Sequence, residues 1–223
     1  MMYLSRLRLS RDPKVAALDV LLDPTPGGDR LDAHHRLVWT AFAGDPQARR
    51  DFLWREEGQG VFLVQSSRPP EDSPFFETPE VREHAPDLRA GDRLSFLLRA
   101  NATRDLGGEK RRRVDVVMNL LHGVPKAERN RKRMDLAAEA ADQWMTGQGS
   151  RAGFAPERIE VQDYRTVTLP GYRGRRRGEP RFGILDLTGQ ITLTDPDAFV
   201  QKLTQGFGRA KSFGCGLMLI RRA

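Results

Sequence analysis

Two apolar-rich runs, 51–55 and 61–65 of 51-DFLWREEGQGVFLVQ-65, flank a polar turn that carries glycines 58 and 60. Runs of this length around a glycine-containing turn read as a β-hairpin. Upstream, residues 3–9 alternate at strand period, with Leu7 and Leu9 flanked by Arg6 and Arg8. A loop with Pro24, Pro26, Gly27 and Gly28 follows. Asp29 is then a credible N-cap for a helix over 30–43, with Asp32 as a box-like partner. Leu31, His35, Val38 and Phe42 share a narrow arc of that helix, flanked by Trp39, Leu37 and Ala41. Gly44, Asp45 and Pro46 end it. Downstream of the hairpin, the proline-rich stretch 69–86 holds at most a short or irregular helix, and 94–99 reads as a strand introduced by a turn at 89–92.

Strand, helix, two strands, weak helix and strand is the order of a split βαβ, or ferredoxin-like, unit. A basic linker at 103–113 separates it from a second half in which the same order recurs. There 114–121 is a candidate strand and 134–145 an alanine-rich helix. Residues 158–168 and 182–194 alternate as strands, and Asp195-Pro196-Asp197 starts a helix with proline at its first position. A glycine loop and a short apolar strand, 217–220, close the chain. The expectation is an α+β protein with two tandem ferredoxin-like domains, 1–102 and 114–223. The repetition is one of element order, not of residues.

The 223 residues include 37 basic and 30 acidic side chains, a formal charge of +7 that suits a polyanionic partner. The single cysteine, Cys215, excludes an internal disulfide and a CxxC metal site, and reads as a small core residue. No apolar run approaches membrane-spanning length, and the arginine-interrupted start MMYLSRLRLS lacks a signal-peptide core, so a cytoplasmic protein is expected.

Three basic clusters stand out: 110–113, then Arg129, Arg131, Lys132 and Arg133, then Arg173, Arg175, Arg176 and Arg177 between two predicted strands. Each alone fits a solvated face. Together with Arg209 and Lys211 they fit a nucleic-acid track that positions a duplex through its phosphates. The loop holding Arg209 and Lys211 has glycines at 206, 208, 214 and 216. It fits either a helix C-cap with a bulged lead-in to the last strand or an amide nest that cradles a phosphate. His34 and His35 are the only paired histidines, both on the apolar side of the first helix. A core histidine is usually structural, but Asp32 lies three residues before His35, within reach on a helix surface. A carboxylate there can fix one tautomer and raise the imidazole pKa toward neutrality. Such a histidine suits deprotonation of a ribose 2′-hydroxyl or protonation of a leaving 5′-oxygen. No acidic cluster resembles a two-metal nuclease site.

MYLSRLRL, the helical histidine followed by VWTAF, then DFLWR, VFLVQS, FLLRAN and finally GFGRAKSFGCGLMLI occur in the order seen in the CasE family of CRISPR RNA-processing endoribonucleases, which the chain resembles over essentially its whole length. The resemblance implies two ferredoxin-like domains and cleavage of the repeat transcript at the 3′ base of its hairpin. It implies a cofactor-free, metal-independent reaction in which 2′-hydroxyl attack leaves a 2′,3′-cyclic phosphate (or 3′-phosphate) and a 5′-hydroxyl. The partners it implies are the repeat hairpin and the other Cascade subunits, with the mature guide RNA retained. Anchoring on VWTAF puts the family's catalytic histidine at His35 rather than His34. Where family members often have a tyrosine one turn earlier, this chain has Asp32, expected here to orient His35. RNA binding falls by the same resemblance to Arg36, to Arg111, Arg112 and Arg113, to the 129–133 and 173–177 clusters, and to Gly206, Gly208, Arg209 and Lys211. The competing readings are a subunit that grips the hairpin without cutting it, and a basic protein that binds ribosomal RNA nonspecifically.

Overall fold

Strand β1 (Tyr3–Arg8) buries Ser5 and Leu7 and leaves Arg6 exposed, as its alternation requires. In this computed structural model, which describes residues 2–25, 27–44, 47, 49–107, 113–169 and 179–223, two short helices follow, α1 (Pro13–Ala16) and α2 (Asp19–Leu22). Helix α3 (Gly28–Trp39) starts one residue before the expected N-cap. Gly27 takes the cap position without a side-chain bond, and Asp29 sits in the first turn, where its charge complements the helix dipole. The expected hairpin is present as β2 (Phe52–Gly58) and β3 (Val61–Ser66). A fourth strand, β4 (Glu80–Glu83), forms where an irregular helix was expected. All four of its residues are exposed, so no apolar periodicity announces it. The sheet order is β2-β3-β1-β4, with β1 antiparallel to both neighbours. Leu37, Val38 and Phe42 from the α3 region pack with Phe52, Trp54 and Phe62 to form the core.

Strand β5 (Arg93–Ala100) was expected to complete this first unit but belongs to the other sheet. Its buried residues alternate strictly, Leu94, Phe96, Leu98 and Ala100, and it pairs with β9 and β10 rather than with β1. A short hairpin follows, β6 (Thr103–Asp105) with β7 (Arg113–Asp115). The candidate strand at 114–121 is instead helix α4 (Val116–His122), started by Asp115, whose carboxylate accepts from the Val117 and Met118 amides. Helix α5 (Arg129–Ala152) buries Ala137, Ala140, Ala141, Trp144 and Met145 along one face and stops at left-handed Gly153. Then come β8 (Phe154–Thr168), β9 (Arg181–Leu193), α6 (Pro196–Gln205) and β10 (Met218–Arg222). Asp195 caps α6 by accepting from the Ala198 amide, with proline at the first helical position as expected. The order β10-β5-β9-β8 is that of a complete ferredoxin-like unit.

The chain therefore divides differently from 1–102 and 114–223. One unit comprises the described residues of Met1–Pro86, Thr168–Arg181 and Lys211–Gly214; the other takes Asp87–Val167, Phe182–Ala210 and Cys215–Ala223. Among the described residues, no helix is long and apolar enough to cross a membrane.

Candidate active site and nucleic-acid interface

Adjacent positions on a helix lie about 100° apart, and His34 and His35 have different surroundings accordingly. His34 is 1% exposed. Its ring meets Phe62 edge-on at 4.9 Å, and its Nε2 lies 2.9 Å from Asp23 Oδ1. Glu56 Oε2 is 3.7 Å from Nδ1. Burial outweighs these carboxylates and holds the His34 pKa below its ordinary value. Asp23, His34 and Glu56 have the donor types of a metal site, within 4.8 Å of one another. A guanidinium already lies between the carboxylates, however. Arg30 Nε is 2.7 Å from Asp23 Oδ1, and Arg30 Nη2 is 2.6 Å from Glu56 Oε1. This is an ion-pair clamp joining the end of α2, α3 and β2.

His35 is half-buried, with ring neighbours Trp39 at 6.1 Å and Phe213 at 6.4 Å. Its Nδ1 is buried without a hydrogen-bond partner. The expected contact from Asp32 takes another form. The Asp32 carboxylate accepts from Arg36, the i+4 residue on the same helix, and no hydrogen bond joins it to His35 among the described residues. Its charge still favours protonated His35, but burial first, then the Arg50 and Arg36 charges, oppose it. The net shift is downward from 6.5, not toward a raised pKa. His35 is therefore held mostly as neutral imidazole at pH 7, the form that accepts a proton.

Residues 211–214 bring the far end of the chain to this site. Lys211–Phe213 form a 3-10 turn, and Gly214, in the left-handed region at φ +72°, lies flat against Trp54. A side chain at 214 would come within 3.2 Å of the indole. This close approach places Phe213 beside His35 and Ser212 within 3.0 Å of Arg50 Nη1. Sequence reasoning did not single out Arg50, because its partner Ser212 lies 162 positions away.

The rest of the glycine loop is bound to LRAN. Asn101 O accepts from the Arg209 amide at 3.0 Å, and a Cβ on Gly208 would stand 2.6 Å from that oxygen. Gly216 N donates to Arg99 O, Phe207 N to Gly216 O, and Gly206 N to Lys202 O. These four amides are satisfied by protein carbonyls, so they do not form an open phosphate nest. The strand lead-in reading describes them; of this loop's cations, Arg209 is exposed and Lys211 half-buried. Cys215 is fully buried, its thiol pushed up to about 12, as a core residue should be.

The basic clusters separate. Arg36 is exposed and paired with Asp32. Arg113 pairs with Asp105 at 3.1 Å, Lys132 with Glu128 at 2.8 Å, and Arg133 stacks over Tyr164. Arg129 Nε donates to Val124 O at the end of α4. Arg131 alone of that group is exposed with no ion pair among the described residues. Arg111, Arg112, Arg173, Arg175, Arg176 and Arg177 lie outside the described residues.

The two strand orders define an α+β protein with two tandem ferredoxin-like units. A family model described as CRISPR associated protein matches residues 2–222, and the chain belongs to that family. It is 26% identical over 191 residues, 82% of this chain and 88% of the relative, to the CRISPR system Cascade subunit CasE of Escherichia coli (strain K12). Its fold matches the CRISPR endoribonuclease Cse3 bound to 19 nt RNA, with TM-score 0.69 and 22% identity over 99% of this chain and 100% of that one. It also matches the CRISPR-associated protein Cas6e from E. coli str. K-12, with TM-score 0.64 and 21% identity over 99% and 100%. The resemblance to the CasE family read from the sequence is borne out.

Proposed function

We propose that this protein is the CRISPR RNA-processing endoribonuclease of a Cascade complex, cutting the precursor at the 3′ base of the repeat hairpin and retaining the guide RNA. The observation that carries this reading is His35, held neutral and half-buried, with Arg50, Ser212 and Phe213 around it. Family membership and the endoribonuclease names of the relatives support it. Neutral His35 takes the proton of the 2′-hydroxyl as the O2′–P bond forms. The P–O5′ bond breaks, and the 5′-oxygen gains a proton from His35 or water. The products are a 2′,3′-cyclic phosphate, which addition of water across its O2′–P bond opens to a 3′-phosphate, and a 5′-hydroxyl, with no metal or cofactor required. Acid–base catalysis supplies about 10²–10⁴-fold, so in-line positioning of the 2′-oxygen supplies much of the remainder. Asp32 tunes His35 through charge while it holds Arg36, and Arg131, Arg209, Lys211 and the 111–113 and 173–177 arginines grip the stem phosphates.

The test is incubation with the repeat hairpin encoded beside its own gene, with chelator present, mapping the cut and both end groups. A single cut at the 3′ base with a 5′-hydroxyl supports the reading; binding with no cut leaves the hairpin-gripping subunit. That second reading draws on Asp32, which occupies the place of the family tyrosine and is spent on Arg36.

A further inference from the structure

We propose that Arg50 is the residue that contacts the scissile phosphate and stabilises the charge developing on it, held in place by Ser212. The inference rests on the endoribonuclease reading and deepens it. Several half-buried arginines elsewhere in this chain are matched to carboxylates, Arg30 to Asp23 and Glu56, Arg68 to Asp51 and Arg99 to Asp186, whereas Arg129 is bound to a backbone carbonyl and Arg133 lies over the Tyr164 ring. Arg50 is also half-buried, yet its one hydrogen bond among the described residues goes to a neutral hydroxyl, Ser212 Oγ. The adjacent carboxylate, Asp51, contacts Arg68 at 3.1 Å and Ser67 at 2.8 Å through Oδ2, and its buried Oδ1 has no hydrogen-bond partner and makes no ion pair with Arg50. Burial without a counter-charge works against a cation, and it holds Arg50 below its ordinary pKa. Such a group regains the lost solvation when an anion arrives.

The geometry selects the anion. Ser212 takes one of the five guanidinium N–H groups, and the planar fork that remains matches two phosphate oxygens. Ser212, which holds Arg50, is followed by Phe213, whose ring centroid lies 6.4 Å from that of His35, and the Arg50 charge opposes imidazole protonation. Among the described residues no carboxylate is within ion-pair distance of Arg50, so none of them supplies an anion that bridges it and His35. A phosphodiester whose 2′-oxygen faces His35 would place a non-bridging oxygen toward Arg50. Ser212 is a positioning residue: it fixes the guanidinium without neutralising it.

The test uses the full chain and the repeat hairpin, reading hairpin affinity and single-turnover cleavage separately. Arg50→Gln should lower the cleavage rate about a hundredfold, the scale for removing one preorganised donor at developing charge, while hairpin affinity changes only a fewfold. Arg50→Lys should recover part of the rate, because a point charge replaces the fork. Ser212→Ala should lose rate by a smaller factor, and Ser212→Thr should restore it. Exposed Arg49→Gln should match wild type. An NMR titration of the RNA-free protein reads the same contact without catalysis. The charged groups acting on His35 are Asp32 and Arg36 on its own helix and Arg50 across from it, with Trp39 and Phe213 supplying ring faces. Loss of the Arg50 charge therefore raises the His35 pKa in Arg50→Gln. Cleavage by Arg50→Gln within threefold of wild type, or loss of affinity as large as the loss of rate, overturns the proposal. A folded wild-type chain that fails to cut overturns the endoribonuclease reading instead, and the titration still reports on Arg50.

Discussion

His34 Nε2 lies 2.9 Å from Asp23 Oδ1, so this histidine is locked into the clamp that also holds Arg30 and Glu56, while its neighbour His35 makes no such bond through its buried Nδ1. Two adjacent residues of one type are thus placed in different environments. Each has a measurable consequence.

Acidification should weaken the fold through His34. Its folded-state pKa is lowered by burial, so the unfolded chain binds a proton more readily as pH falls through about 6.5. The stability contribution is complete above that pH and is lost progressively below it. Chemical denaturation at pH 7.5 and 5.5 should show this loss, with a smaller difference in His34→Gln, which keeps a donor toward Asp23.

The cleavage rate should depend on pH through His35 in the same direction. Because its pKa in the free protein lies below 6.5, the base form predominates at neutrality. Under limiting enzyme, where the free protein governs the rate, cleavage should be flat near pH 7 and fall on acidification below 6.5. A profile that keeps rising above pH 8 would contradict a lowered pKa.

Gly214→Ala should act on both fold and chemistry. Its φ of +72° disfavours any side chain, and the new methyl would press on Trp54. The expected cost is about 1–2 kcal/mol. Displacement of Ser212 and Phe213 should also slow cleavage while hairpin binding persists. Thermal melting and single-turnover assays measure the two effects.

Asp115→Ala should destabilise the other unit without touching His35. The carboxylate caps α4 through two amides and accepts from Tyr164 Oη at 3.0 Å. Losing a cap together with a partly buried acceptor costs about 1–3 kcal/mol. Unfolding midpoints in denaturant give the value.

Much of this architecture is legible in the residues because burial imposes periodicity. The β2–β3 hairpin, α5 and α6 each carry an apolar pattern or a cap that admits one reading. β4 was missed because an exposed edge strand, EVRE, has no buried face to reveal. That omission passed β5 to the wrong unit. VVMNLL looked like a strand because of its two valines, although Asp115 before it is a helix cap. His35 was legible from its helix and its resemblance, and Asp32 from its spacing, but Arg36 is the stronger partner for that carboxylate. Arg50 carried no local signal: its hydrogen-bond partner is Ser212, at the far end of the chain.

The most direct test is a single-turnover comparison of His35→Ala and His34→Ala on the repeat hairpin, with affinity measured in parallel. The account predicts that His35→Ala binds the hairpin as wild type does and loses cleavage by about 10²–10⁴-fold, while His34→Ala, where it remains folded, still cuts. Cleavage by His35→Ala at the wild-type rate, with cutting lost in folded His34→Ala, would contradict it.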